Sequence, residues 1–167
     1  MKSKEEIYKF IKKQKVAVIS SVDEEGFPNT KAMLMPRKIE GNSFYFSTNT
    51  SSMRVRQYRE NNKASLYFFK KGLVHYEGVM LIGTIEVIED EVTKKELWKI
   101  GDTMFYKKGV TDPDYCLLKF TATKGRHYSD LKTESFTFYS QKNLLKDKIL
   151  EDKEFTFLDV GPICCKI

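Results

Sequence analysis

Turns follow one another so closely in this sequence that its strands must pair with their immediate neighbours. Asp23-Glu24-Glu25-Gly26, Gly41-Asn42 and Lys70-Lys71-Gly72 each separate two runs rich in β-branched or aromatic residues. Connections that short permit antiparallel pairing only, because a parallel pair needs a crossover of a dozen residues or more. Val16 to Val22, β-branched on both faces, reads as a buried strand, and Asn29 to Met35 returns it until Pro36 ends or bulges it. Phe44 to Thr48 alternates aromatic and small residues, the period of a half-buried strand. Ala64 to Phe69, a long run from Leu73 to Ile88, Tyr115 to Thr121, and one or two segments within Arg126 to Tyr139 complete the β set. Gly78 and Gly83 inside the long run mark bends, bulges or a close approach. Helical patterns are few: Ser3 to Lys13, with Ser3 and Glu6 at capping-box spacing; Ser52 to Glu60; and about ten residues after Asp90, through Ile100. The succession predicts a mainly β (α+β) fold, an antiparallel barrel with a few short peripheral helices.

The 167 residues suit one domain with a proper core. Charges of both signs are scattered through a chain that is 41% hydrophobic, which excludes wholesale disorder. No apolar run reaches the ~18 residues of a membrane span. The N-terminal lysines alternate with glutamates and lack the apolar core of a secretory signal, so a cytoplasmic location and no membrane partner are expected. The net charge of +6 attracts anions of any kind and by itself names none. Cys116, Cys164 and Cys165 make an odd count without CxxC spacing, so neither a disulfide framework nor a zinc site is expected. Nucleotide-loop, serine-hydrolase and zinc-protease motifs are absent, and no triad orders the Ser, His and Asp residues.

One junction carries chemistry. The strand Phe44 to Thr48 delivers Ser47 and Thr48 toward a helix that opens on Thr50, Ser51 and Ser52, with Arg54 in its first turn. Free N–H groups, the positive end of the helix dipole, hydroxyls and a guanidinium converge there, which points to an anion, above all a phosphate. A plain capped helix with solvated arginines is the alternative. The strand Thr30 to Met35 places Lys31 beside Met33 and Met35, whose thioethers suit a flat aromatic ring or, equally, ordinary core packing.

In order, VAVISSVDEEGFPNTKAMLM, FYFSTNTSSMRVRQYRENNKASLYFF and YEGVMLIGTIEVIED resemble the pyridoxamine 5′-phosphate oxidase-like FMN-binding split β-barrels, in particular the bacterial general stress protein branch. The resemblance spans about residues 5 to 130. It implies a split-barrel domain over residues 1–140, with residues 141–167 an extension of unknown role. It also implies FMN as cofactor and a homodimer with the flavin near the interface. The strand Lys31, Ala32, Met33, Leu34 would then lie along the isoalloxazine ring, with lysine standing where the family often has arginine. Ser47 and Thr48 would sit beside the ribityl phosphate, and Ser52-Met53-Arg54 would match the phosphate element with arginine replacing lysine. Gly78 and Val79 would pass near the flavin.

The resemblance further implies an oxidoreductase acting on a small substrate, with access for a nicotinamide or another small acceptor. Departures argue against true pyridoxamine phosphate oxidation. The family's R-x-H element is here Arg126-His127, adjacent and differently framed, and Ser129 precedes Asp130 where tryptophan is common. No catalytic residue emerges; Tyr128 and His127 are candidates by proximity in sequence alone. A non-catalytic flavin-binding stress or sensor protein fits the same residues, and so does deazaflavin or haem in the cofactor's place. A small basic barrel that stacks bases on Tyr67-Phe68-Phe69 is the reading from another class, and it lacks any recognised nucleic-acid signature.

Overall fold

The computed structural model describes residues 2–138. Residues 141–167, with Cys164 and Cys165, lie outside the described residues. Eight strands and three α-helices follow in the order α1 (Lys4–Lys12), β1 (Val16–Val22), β2 (Pro28–Leu34), β3 (Lys38–Glu40), β4 (Ser43–Asn49), α2 (Met53–Glu60), β5 (Lys63–Lys71), β6 (Tyr76–Ile88), α3 (Glu91–Leu97), β7 (Tyr115–Ser129) and β8 (Lys132–Thr137). Two 3-10 turns, Ile100–Met104 and Gly109–Thr111, fill the connection before β7. The three helices start where their caps foretell: Ser3 forms a full capping box with Glu6, Ser52 caps α2 and Asp90 caps α3. The third helix stops at Leu97, short of Ile100.

All pairings are antiparallel, but the expected split barrel is not formed. Hydrogen-bonded neighbours run β2-β1-β5-β6-β7-β4-β3, so β2 and β3 are free ends and the sheet stays open. The reason lies in β7. One of its edges is paired with β6; the other is shared, Tyr115–Thr121 bonding β4 and Lys124–Ser129 bonding β8. The sheet forks there instead of curling shut. Gly83 supplies the bend: the β6–β7 register shifts between Ile82 and Gly83, and a Cβ at Gly83 would collide with the Thr121 carbonyl.

Two strands reverse their expected burial. β1 hides Ala17, Ile19 and Ser21 and leaves the other face half open. β4 is covered on both sides. Phe44 and Phe46 join Phe68, Leu81, Leu118 and Phe120 in the main core, beneath α1 and α2. Tyr45 points the other way into a second cluster with Tyr106, Tyr115 and Leu117, roofed by Leu97 and Trp98. Each such fully buried large side chain contributes about 2–3 kcal/mol of transfer free energy. The second cluster fixes the chain around Asp102 to Tyr106 against β4, and so builds one wall of the site.

Candidate functional site

A cleft of about 260 Å³ opens between β2, the last residues of β4, the start of α2 and the 3-10 turn at Ile100–Met104. Eight of the residues expected from sequence line it: Lys31, Ala32, Met33, Leu34, Ser47, Thr48, Ser52 and Arg54. Three lie elsewhere. Met53 faces a notch beside Asp23, Asn29 and Arg56. Val79 is fully buried in the main core, and Gly78 abuts the Tyr67 ring, where a Cβ would meet its hydroxyl. Sequence reading missed Arg37, Asp102, Phe105 and Tyr106, which also line the cleft.

The turn between β4 and α2 is held from outside the cleft. Asp114 accepts from Asn49 Nδ2 and from the Ser51 N–H, both at 2.8 Å, and these bonds hold its carboxyl below the usual range. The Thr50 N–H reaches the Asp114 carbonyl at 2.9 Å. The Ser52 hydroxyl accepts from the Val55 N–H at 3.4 Å, a long cap bond, and α2 begins there. Arg54 follows in the first turn, and its Nε is buried without a partner.

Arg37, in the link between β2 and β3, lines the cleft as well. Pro36 cannot donate to the ladder, so β2 ends, and the Arg37 N–H bonds the Tyr45 carbonyl at 2.7 Å. Its side chain is nearly enclosed. One terminal nitrogen donates to Ser47 Oγ at 2.7 Å and to Asp102 Oδ1 at 2.5 Å; the other reaches the Leu97 carbonyl at 3.3 Å. Asp102 Oδ2 accepts the Lys99 N–H at 2.9 Å, so both oxygens of this carboxylate are engaged. Arg37 Nε, like Arg54 Nε, is buried with no partner. Burial, followed by neighbouring Cys116 and Asp114, pushes the Tyr106 hydroxyl up to about 12, so it keeps its proton at neutral pH.

The charge balance in the cleft is one-sided. Lys31, Arg37 and Arg54 face a single carboxylate, Asp102, already committed to Arg37. Buried N–H groups without acceptors cost about 1–3 kcal/mol each, and a phosphate supplies acceptors only. The donor set therefore fits a phosphorylated ligand.

The two histidines stand apart from the cleft. His127 is buried on β7, with Nε2 3.0 Å from Glu77 Oε1, and Glu77 also takes the Lys2 ammonium. His75 pairs with Asp130 at 3.1 Å on the surface. Among the described residues no group of three or more His, Cys, Asp or Glu is placed to hold a metal ion, and no helix is long and apolar enough to cross a membrane. Cys116 is buried in β7, and burial raises its thiol.

Comparison with known proteins bears on the family and the fold. The profile of the family described as Pyridoxamine 5′-phosphate oxidase matches residues 3–129. A crystal structure from Clostridium acetobutylicum, a protein related to general stress protein 26 of the pyridoxinephosphate oxidase family, is 38% identical. It superposes with a TM-score of 0.70, covering 79% of this chain and 92% of that one. General stress protein 26 of Bacillus anthracis shares the fold at 19% identity and a TM-score of 0.62, over 79% of this chain and 97% of that one. A curated pyridoxine/pyridoxamine 5′-phosphate oxidase of Rhizobium leguminosarum is 33% identical over 72 residues, 43% of this chain; the match spans only 34% of that enzyme's length.

Proposed function

The chain belongs to the pyridoxamine 5′-phosphate oxidase family, and from that membership we propose that it is an FMN-binding flavoprotein, an oxidoreductase acting on a small substrate. One observation carries the reading: Arg37 and Arg54 line the same cleft, and each has a buried guanidinium Nε without a partner. Arg54, Ser52 and Thr48 would receive the phosphate at the start of α2. Lys31 to Leu34, on the edge strand β2, would run beside the ring system, with Met33 half-buried there. When bound, FMN supplies the electron-transfer chemistry.

The chain's own part is to anchor, orient and exclude water. Asp102 is bound to Arg37 at one oxygen and to the Lys99 N–H at the other, and Tyr106 holds its proton, so the described lining is dominated by donors. Arg126 and His127 sit on β7, away from the cleft, with His127 engaged by Glu77. That supports a reaction other than pyridoxamine phosphate oxidation.

A homodimer belongs to the same proposal. The cleft is smaller than the ~300–1,000 Å³ of complete ligand sites. At its rim Leu34 is 80% exposed and Phe105 73%. A second copy laid against the β2 edge would cover these side chains and complete the walls.

Adding FMN to the purified protein should quench flavin fluorescence and raise the melting temperature, and Arg54→Ala should weaken binding by roughly ten- to a hundredfold, the value of one charge-assisted contact. A protein that stays colourless and shows no thermal shift with FMN sinks the proposal. Anaerobic mixing with NADH and NADPH then separates an enzyme, whose flavin bleaches quickly, from a flavin-binding module, whose flavin does not.

A further inference from the structure

Arg37 was not read from the sequence as a site residue, yet it has the most constrained donor arrangement in the cleft. Its terminal nitrogens are fixed by Ser47 Oγ, Asp102 Oδ1 and the Leu97 carbonyl. These bonds use three of the five guanidinium N–H groups, and the buried Nε is left without a partner. They also act on Ser47. A hydroxyl that accepts from a guanidinium at 2.7 Å turns its own proton away from that cation. Ser47 is therefore polarised into a donor toward the rest of the cleft. Asp102 neutralises Arg37 and, through the Lys99 N–H, ties it to the wall that carries Phe105 and Tyr106.

We infer that Arg37 is the specificity-determining residue of this cleft: its Nε–H and the Ser47 proton that it orients admit a fully ionised acceptor group, a phosphate, and disfavour the uncharged hydroxyl of an unphosphorylated ligand. The inference rests on the flavin reading for the identity of the ligand, FMN against riboflavin. The donor arrangement does not rest on it. A phosphate accepts from both donors and offers no proton in return. A ligand hydroxyl brings a proton of its own and no charge, so it repays less of the cost of the buried Nε–H. Lysine at position 37 would keep the charge and lose the planar fork that holds Ser47, Asp102 and a free Nε–H at once.

The test follows arginine Nε–H signals in ¹⁵N–¹H spectra during titration with FMN, riboflavin and inorganic phosphate. Fluorescence titration of both flavins runs in parallel on wild type, Arg37→Lys and Ser47→Ala. The Arg37 signal, identified by its loss in Arg37→Lys, is expected to move with FMN and phosphate and to stay with riboflavin. Arg37→Lys should lower the preference for FMN over riboflavin by roughly tenfold or more, and Ser47→Ala by several-fold, each acting mainly on FMN. Ser47→Ala leaves the Arg37–Asp102 pair in place, so it decides the matter even where Arg37→Lys folds poorly. If wild type refuses both flavins while phosphate still moves the Arg37 signal, the flavin reading falls and the role of Arg37 stands. If FMN binds but the Arg37 signal is unmoved, or the variants weaken both flavins equally, Arg37 is merely structural and the inference is overturned. If neither FMN nor phosphate moves anything, both fall.

Discussion

Two polar pairs, Arg37–Asp102 by β4 and His127–Glu77 on the β8-bearing half of β7, answer burial in opposite ways. Arg37 carries a permanent charge, gives away its terminal donors, and keeps a buried Nε–H without an acceptor. His127, by contrast, has carboxylates near both ring nitrogens. Its Nε2 meets Glu77 at 3.0 Å, its Nδ1 lies 4.0 Å from Glu134, and Glu77 gains a second cation in Lys2. The first region is over-supplied with donors, and the second is matched within itself. Size misleads here: a larger cleft of about 600 Å³ between α1, β7 and β8 is rimmed by exposed Lys4, Lys124 and Arg126, whereas the smaller one is lined by residues with buried donors. A binding site is marked by unpaired donors already desolvated, because exposed lysines are satisfied by water.

The contrast is broken most severely at Asp102. Asp102→Ala leaves a nearly enclosed guanidinium without its counter-charge and should cost about 3–5 kcal/mol, a fall in melting temperature on the order of 10 °C. Phosphate or FMN at saturating concentration should recover more of that loss in the variant than it adds to wild type, since an anion can take the carboxylate's place. Equal thermal shifts in the two proteins would mean that the cleft does not bind the anion beside Arg37. Glu77→Ala, by comparison, should cost about 1 kcal/mol or less, because the partly exposed Lys2 can return to water.

How much of this was legible follows from what local sequence can encode. Caps were readable because Ser3, Ser52 and Asp90 act within three residues of themselves. The hydroxyl-and-arginine cluster at Ser47, Thr48, Ser52 and Arg54 was readable for the same reason. Arg37 and Asp102 were not: they are 65 positions apart, and neither stands in a pattern that foretells the other. The barrel was over-read because turn lengths fix which strands pair, while closure depends on how β7 shares its second edge between β4 and β8. The burial of β1 and β4 was inverted because the layer over Tyr45 comes from residues 97 to 106, far away in sequence. The turn between β7 and β8 escaped because Asp130-Leu131 lacks the glycine that usually announces it.

A smaller effect sharpens the comparison through pH. Burial pushes the Glu77 carboxyl up, but hydrogen bonds from Lys2 and His127 outweigh it and hold the group below its ordinary value near 4.5. A depressed folded-state value means that this contribution is complete above the unfolded value and is lost as pH falls through the folded one. Stability of wild type should therefore decline below about pH 4.5, and Glu77→Gln should flatten part of that acid limb in denaturant titrations at pH 6, 5 and 4. Glu77 does not line the Arg37 cleft, so FMN or phosphate affinity should be little affected by Glu77→Gln at neutral pH. A change in anion affinity in that variant would show that the two regions communicate.

The smallest effect belongs to the hairpin that closes the matched region. Ser129 pairs with Lys132, leaving Asp130 and Leu131 as a two-residue loop with φ of 49° and 64°. Both central residues are left-handed, as a type I′ turn requires, and glycine is the residue that adopts this conformation at the second position without a Cβ penalty. Leu131 is 91% exposed, so nothing in packing offsets its strain. Leu131→Gly should raise stability by about 0.5–1 kcal/mol, the relief of the left-handed cost less the added freedom of the unfolded chain. The midpoint of denaturant unfolding should move upward with an unchanged slope, and flavin or phosphate affinity should stay as in wild type. Loss of stability would mean that Leu131 is held by contacts outside the hairpin, and that the region around His127 is not complete in itself.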